Sequence, residues 1–446
     1  MSEDIRAAVH EGRMSAFQNV AVTICMVINM LDGFDVLAIA FAGPVIAREW
    51  TLSPTELGML FSAGLAGMTA GSLFLSPFAD SWGRRPVVLA GLVVISIGMI
   101  GSAFAHGLWE LAGLRVFTGL GIGTLLSSIN TIVAEYSSRK RMDFAVSFMA
   151  IGYPVGATLG GMVSIWLVTQ FGWRAIFIFG GIVSAAIVPV VMVRLPESLD
   201  FLLIKRPKHA LARINALLAK MNKGTIDALP EVPPHETVSI RSVTGIFNRS
   251  FLEPTLLICV SYFMVMLSLY FLLNWTPKVL VDQGMSLQYG ISGAVLMNAG
   301  GIIGGLLMGY FAGIFGLRRL SAFYMVLLFV SVTVFGFAKA DLLTMAAIVT
   351  VIGFFLIGVI ASLYALVAAM YPPQVRNTGT GLAIGIGRFG AIAGPYLGGV
   401  LIAAGWSRPA YCVALALPTL LAAILVVRVP LAGRPPVSAA PDVPPV

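Results

Sequence analysis

The sequence predicts an all-α membrane protein with twelve transmembrane helices in two pseudo-symmetric six-helix bundles. Three observations carry that prediction: an apolar composition outside the range of soluble domains, a ladder of apolar runs long enough to cross a bilayer, and a basic turn that recurs in each half. Hydrophobic residues make up 58% and charged residues 11% of the chain, with a mean hydropathy of +0.93; soluble domains hold roughly 45–50% and 25%. The polar segment Met1 to Ser15 has no small-residue cleavage pattern behind a short apolar core, so the first span reads as an uncleaved anchor. Cys25, Cys259 and Cys412 all fall within apolar runs, which argues against an extracellular disulfide framework.

Runs of about 18–25 apolar residues, the length a helix needs to span the hydrocarbon, fall near 17–41, 56–78, 87–105, 109–134, 143–168, 174–193, 252–280, 289–313, 320–338, 342–368, 377–402 and 408–428. They divide the chain into an N-terminal tail (1–16), a first bundle (17–193), a linker (194–251), a second bundle (252–428) and a C-terminal tail (429–446). In the linker, His209 to Met221 carries apolar residues at helical spacing and is expected to form a short amphipathic helix on the inner membrane face. Leu229-Pro-Glu-Val-Pro-Pro and the tail from Gly433 onward are Pro-rich, and the tail is expected to be disordered.

Charge sets the orientation. With the N-terminus inside, only Arg48, Arg174, Lys278, Lys339 and Arg408 of the 28 Lys and Arg fall in outer loops, and Arg115 and Arg388 fall within spans. The rest lie on the inner side, as the positive-inside rule requires. The net charge of +8 is thereby a topology signal, and no nucleic-acid partner is needed to account for it.

Span 1 holds the most costly feature of the chain, Asp32-Gly33-Phe34-Asp35. An ionised Asp at the bilayer centre costs ~2.5 kcal/mol or more even on lenient insertion scales, so carboxylates there mark ion or proton paths. At i and i+3 both look toward nearly one face, into the bundle. The competing reading is a structural pair satisfied by a neighbouring Arg or a helix end. His10, His106, His209 and His235 all fall in tails or loops, so Asp32 and Asp35 are the candidates for proton coupling, with Glu110 and Glu135 of span 4 as alternatives.

The two halves repeat. Ala79-Asp80-Ser81-Trp82-Gly83-Arg84-Arg85 follows span 2, and Ala312-Gly313-Ile314-Phe315-Gly316-Leu317-Arg318-Arg319 follows span 8. Two six-helix repeats around a midplane site is the plan of alternating-access transporters. On these residues the chain resembles the major facilitator superfamily over roughly residues 17–428. In that superfamily the loop after span 2 reads Gly-x-Leu-Ala-Asp-Arg-x-Gly-Arg-Arg and latches the inner gate. Here Asp80, Gly83, Arg84 and Arg85 match, while Ser76, Phe78 and Ser81 depart from it. The resemblance implies a gating role for Asp80, Gly83, Arg84 and Arg85, and the repeat extends it to Arg318; a basic pair beside a span is also an ordinary topology anchor. Arg115-Val-Phe-Thr-Gly119-Leu-Gly121-Ile-Gly123 and Gly152-Tyr-Pro154-Val-Gly156-Ala-Thr-Leu-Gly160-Gly161 resemble the superfamily's fourth- and fifth-span patterns, and their small residues are expected to let helices approach closely.

Within the superfamily, Asp32-Gly33-Phe34-Asp35 is similar to the first-span signature of the aromatic acid:proton symporters. Leu273-Asn274-Trp275-Thr276-Pro277 and Gly385-Ile-Gly387-Arg388-Phe389-Gly390-Ala-Ile-Ala-Gly394-Pro395 look similar to the same group. The resemblance implies proton-coupled uptake of hydroxybenzoate, protocatechuate, vanillate or gallate across a bacterial inner membrane, and the charge distribution is expected to leave both termini cytoplasmic. The expected partners are an aromatic carboxylate, protons and the lipid bilayer; no cofactor, metal or enzymatic activity is expected, and the chain is expected to act as a monomer.

Depth along the helices connects the polar residues. At ~1.5 Å per residue, Asp35 lies ~9 Å in from Phe41 and Arg115 ~9 Å in from Trp109, one common level, while Arg388 and Asn298 lie ~16 Å and ~14 Å from the ends of their spans. A guanidinium fork at the midplane suits a carboxylate. Arg388 and Arg115 are therefore candidate substrate ligands, or else pair with protein carboxylates, and Phe34, Tyr153, Asn274, Trp275 and Asn298 are candidate lining for a hydroxylated ring. A cationic-drug efflux antiporter would share the scaffold, although Arg388 would repel its cargo. A membrane enzyme would want a nucleophile and base in one pocket, and a non-transporting receptor on this fold stays open.

Overall fold

A computed structural model describes residues 14–229, 249–339, 341–371 and 373–430. Most of the N-terminal tail with His10, the Pro-rich linker segment with His235, and the C-terminal tail from Leu431 lie outside the described residues. Among the described residues, twelve helices are long and apolar enough to cross a membrane. In order, spans 1 to 6 are Ala16–Glu49, Pro54–Ala70, Arg84–Ala103, Leu108–Tyr136, Met142–Phe171 and Arg174–Arg194. Spans 7 to 12 are Arg249–Asp282, Leu287–Phe315, Leu317–Phe337, Leu342–Met370, Pro373–Ala403 and Arg408–Arg428. The face reached by Phe17, Arg84, Arg194 and Arg428 is called the basic face below.

Two helix starts show why these residues begin where they do. Ser15 caps span 1 and Ser53 caps span 2, each in a reciprocal capping box, with Gln18 and Glu56 respectively, and Pro54 opens span 2 at a position where its missing N–H costs nothing. Span 1 runs 34 residues, about 50 Å, well past the end expected near Phe41. Pro44 lies within this helix and is accommodated there because neighbouring spans enclose it.

Span 2 also departs from a simple rod. It is α-helical to Ala70, widens into a π turn over Gly71–Leu75, bends at Ser76-Pro77 and restarts as the short helix Phe78–Trp82. Ser76 stands where the superfamily pattern has glycine, and its hydroxyl meets that of Ser127 on span 4 at 2.9 Å. The linker contains the expected amphipathic helix, Ala210–Lys220, with Ala210, Ile214 and Leu218 buried at intervals of four. It also holds a helix the apolar pattern did not indicate, Leu199–Lys205.

Packing follows a twofold plan. Spans 1 and 5, 2 and 4, and 3 and 6 pair in the first half, as 7 and 11, 8 and 10, and 9 and 12 pair in the second. The halves meet where span 2 crosses 11, span 5 crosses 8 and span 1 crosses 7. A side chain at Gly156 would strike the Met30 carbonyl of span 1, and one at Gly390 the Phe263 carbonyl of span 7, so glycine is what lets these paired spans close.

Candidate functional site

Asp32 and Asp35 are 3% and 1% exposed, in the interior of the first half. Their surroundings differ. An oxygen of the Asp35 carboxylate accepts from Ser184 of span 6 at 3.4 Å, and its main-chain carbonyl accepts from Arg115 at 3.4 Å. The Arg115 fork is otherwise spent inside the half: it donates to Thr118 at 3.0 Å, Ser102 at 3.3 Å and the Met99 sulfur at 2.9 Å, and its guanidinium lies 4.9 Å from the centre of the Phe177 ring. Asp35 and Arg115 thus share one level, as helix depth predicts. They line a cavity of 20 Å³, measured by the space open to a water's centre, together with Phe61, Met68 and Gly119; that is room for about one water molecule.

Neither carboxylate oxygen of Asp32 has a hydrogen-bond partner among the described residues, and neither has the buried Tyr153 hydroxyl of span 5. The two groups are electrostatic neighbours, and the Tyr153 hydroxyl also lies within the electrostatic reach of the Tyr270 hydroxyl on span 7. Gly33 makes this possible: a side chain there would collide with the Tyr153 carbonyl.

In the second half, Arg388 is half-buried at mid-span. The Tyr270 hydroxyl and the Tyr364 hydroxyl of span 10 both lie within its field, and the Tyr364 ring meets Tyr262 edge-on at 6.1 Å. Tyr364 is 45% exposed although it sits well inside span 10. Asp32, Tyr153, Tyr270, Arg388 and Tyr364 are thereby successive electrostatic neighbours from the first half to the second, a polar row between the halves. Tyr270 and Tyr364 escaped the sequence reading. The available signal was that Tyr270 stands one helical turn before Asn274, on the same face.

The remaining candidates sit elsewhere. Phe34 packs edge-on against Phe179 at 5.8 Å and closes over Gly160, inside the first half. Asn274 donates to the Tyr270 carbonyl at 2.8 Å, and Asn298 to the Ala294 carbonyl at 2.9 Å with its own carbonyl oxygen left without a partner among the described residues. Trp275 donates to the Pro395 carbonyl at 2.9 Å and lies edge-on to Phe61 at 5.5 Å. With the Ser62 hydroxyl on the Ile392 carbonyl at 2.7 Å, Trp275 ties spans 2, 7 and 11 together on the side of the midplane away from the basic face.

At the basic face, Asp80 pairs with Arg84 at 2.6 Å and its side chain is 70% exposed. The centre of this cluster is a residue the motif does not contain. One oxygen of Glu197, just past span 6, accepts from the amides of Arg84 at 2.8 Å, Arg85 at 3.1 Å and Ser198 at 2.9 Å. Gly83 holds φ at +102°, and a side chain on it would meet the Glu197 carboxylate, so glycine is required twice over. Arg84 also approaches Glu135 at 3.9 Å, Glu135 accepts from Ser198 and Leu199, both at 2.8 Å, and the Arg85 guanidinium donates to the Met192 carbonyl. Arg318 donates to the Val429 carbonyl at 3.0 Å. Glu110 is exposed and accepts from the His106 amide at 2.9 Å.

Two interlocked six-helix sets around a polar midplane define a membrane transporter. The chain belongs to the Major Facilitator Superfamily, whose family model matches residues 25–312 and 294–445, and it is accordingly a transporter and not an enzyme. Among its relatives, the 4-hydroxybenzoate transporter PcaK of Pseudomonas aeruginosa is 31% identical over 94% of both chains. The gallate transporter of Pseudomonas putida is 30% identical over 95% of this chain and 94% of its own. Among solved structures, the partially occluded inward open conformation of the xylose transporter XylE from E. coli superposes with a TM-score of 0.71 at 16% identity, covering 94% of this chain and 99% of that one. An inward-facing bacterial homolog of the lysosomal transporter Spinster gives 0.68 at 15% identity, covering 93% and 96%.

Proposed function

We propose that the protein is a proton-coupled importer of aromatic carboxylates, of the hydroxybenzoate, protocatechuate, vanillate and gallate class, working by alternating access in a bacterial inner membrane with both termini in the cytoplasm. The observation that carries this reading is the row from Asp32 to Arg388, a carboxylate unpaired among the described residues and a guanidinium on opposite halves, with tyrosine hydroxyls between them. The relatives named for 4-hydroxybenzoate and gallate support the substrate class. In this reading the Arg388 fork receives the cargo carboxylate, and the Tyr153, Tyr270 and Tyr364 hydroxyls exchange hydrogen bonds with ring hydroxyls.

The row also gives a reason for coupling. A cargo anion entering beside Asp32 places two negative charges in one poorly solvated space, where repulsion is far stronger than in water. A proton carried in on Asp32 removes that repulsion, so cargo and proton travel together. The contacts between halves at Ser62–Ile392 and Phe61–Trp275 lie away from the basic face; with that face cytoplasmic, this is the inward-facing state.

The test is uptake in proteoliposomes. Labelled 4-hydroxybenzoate should accumulate against its gradient when the lumen is alkaline, and a protonophore should abolish accumulation. Accumulation that ignores the pH gradient would remove proton coupling. Transport of a hydrophobic cationic dye in place of benzoates would favour the efflux reading.

A further inference from the structure

A second cleft opens at the basic face, between the ends of spans 1, 3 and 6 and the linker helix Ala210–Lys220. It offers 170 Å³ to a water's centre and is lined by Phe17, Arg85, Arg194, Glu197, Arg213 and Lys220, among others. Four cations therefore converge on one concavity. Among the described residues Glu197 is the single carboxylate in its wall, and it is already engaged by three backbone amides. Arg194, Arg213 and Lys220 form no ion pair among the described residues; the Lys220 ammonium lies 5.6 Å from the centre of the Phe17 ring. The Arg85 Nε is buried and has no partner among the described residues.

Charges of one sign that outnumber their counter-charges repel, and the arrangement becomes favourable when an anion sits among them. The rim tells which kind of anion. On span 6, Met192 and Val193 lead into the cleft and are 55% and 76% exposed at the end of an apolar transmembrane helix, so the cleft is continuous with a surface that faces acyl chains. A basic pocket between helix ends at a membrane surface is suited to an anionic headgroup. We infer that this cleft holds the phosphate headgroup of an anionic phospholipid from the leaflet at the basic face, with its chains lying along the end of span 6. The inference is independent of the cargo. Its occupant would touch Arg85, whose amide binds Glu197, so lipid and gate share two residues.

The experiment measures thermal unfolding of the purified, detergent-solubilised protein with added dioleoylphosphatidylglycerol, dioleoylphosphatidylcholine, glycerophosphoglycerol or inorganic phosphate. Phosphatidylglycerol should raise the melting temperature well beyond the other three. The R194Q/R213Q/K220Q variant should weaken its apparent affinity at least tenfold, and R139Q/K140Q/R141Q, which removes the same charge at the loop before span 5, should leave it unchanged. Because all three cleft positions are exposed, the single Arg194→Gln and Lys220→Gln variants provide folded alternatives, and each should show a partial loss. An equal shift with phosphatidylcholine, or an unchanged shift in the cleft variants, would overturn the site. A shift of the same size with inorganic phosphate or glycerophosphoglycerol would overturn its assignment to a lipid.

Discussion

Asp32 and Asp35 stand three residues apart on one helix, yet a proton would mean different things to each. Asp35 is the counter-charge of Arg115, a guanidinium wholly enclosed by spans 3, 4 and 6. Removing it strands a buried cation, which costs on the order of 3 kcal/mol. Asp35→Asn should therefore lower the thermal stability of the detergent-solubilised protein, and Asp35→Asn combined with Arg115→Met should recover most of the loss. Among the described residues Asp32 has no such partner to abandon. Asp32→Asn should leave stability near wild type while abolishing pH-driven accumulation and sparing cargo exchange between equal pH compartments. Normal accumulation in Asp32→Asn would remove it from the proton path. At Arg388 the test is chemical. Arg388→Lys keeps the charge and loses the planar fork, so 4-hydroxybenzoate should bind about tenfold to a hundredfold more weakly, as expected from losing ~1.5–3 kcal/mol of charged hydrogen bonding. Its neutral amide should bind wild type poorly and change little; equal effects on acid and amide would make Arg388 a structural residue.

Span 2 shows what an apolar run conceals. A rod over 56–78 and the chain Pro54–Ala70, π turn, bend and short helix have the same hydropathy, because a widened turn leaves no mark in a stretch that is apolar all round. Helix existence was legible from run length alone, and the linker helix from its period. The cluster at the basic face was legible only in part. Asp80, Gly83, Arg84 and Arg85 announce themselves as a motif, while Glu197 arrives from beyond span 6 and could be found only once the chain was folded. The arrangement ranks their importance. Asp80→Asn removes an exposed pair worth little to stability and should slow turnover with little change in cargo affinity. Glu197→Ala leaves the amides of Arg84, Arg85 and Ser198 without their acceptor, each a loss of about 1–3 kcal/mol if it stays dry. Turnover should fall further in Glu197→Ala than in Asp80→Asn, measured as initial uptake rate per inserted protein. The reverse order would make Asp80 the more important residue of the cluster.

At the scale of the whole molecule, the pairing of spans repeats from one half to the other, and the halves touch on the side away from the basic face. The repeat was legible in the sequence as the recurring Gly-Arg turn; which side was sealed was not, because every apolar span can face lipid or another helix with equal comfort. The seal depends on backbone contact. A side chain on Gly58 would come within 2.6 Å of the Pro395 carbonyl and 3.2 Å of the Gly399 Cα, and neither backbone atom can yield as a flexible side chain would. Gly58→Leu should accordingly prevent closure on that side and shift the protein toward a conformation open there. In a background with Cys25, Cys259 and Cys412 replaced, a cysteine at Ser62, which is 6% exposed in the sealed state, should react slowly with a membrane-impermeant maleimide added from the side opposite the basic face. Adding Gly58→Leu should raise that rate at least tenfold and reduce uptake by a similar factor, while cargo binding persists. If Ser62→Cys stays protected in the Gly58→Leu variant, the close approach of spans 2 and 11 is not the seal, and closure must rest instead on the crossings of span 5 with span 8 or span 1 with span 7.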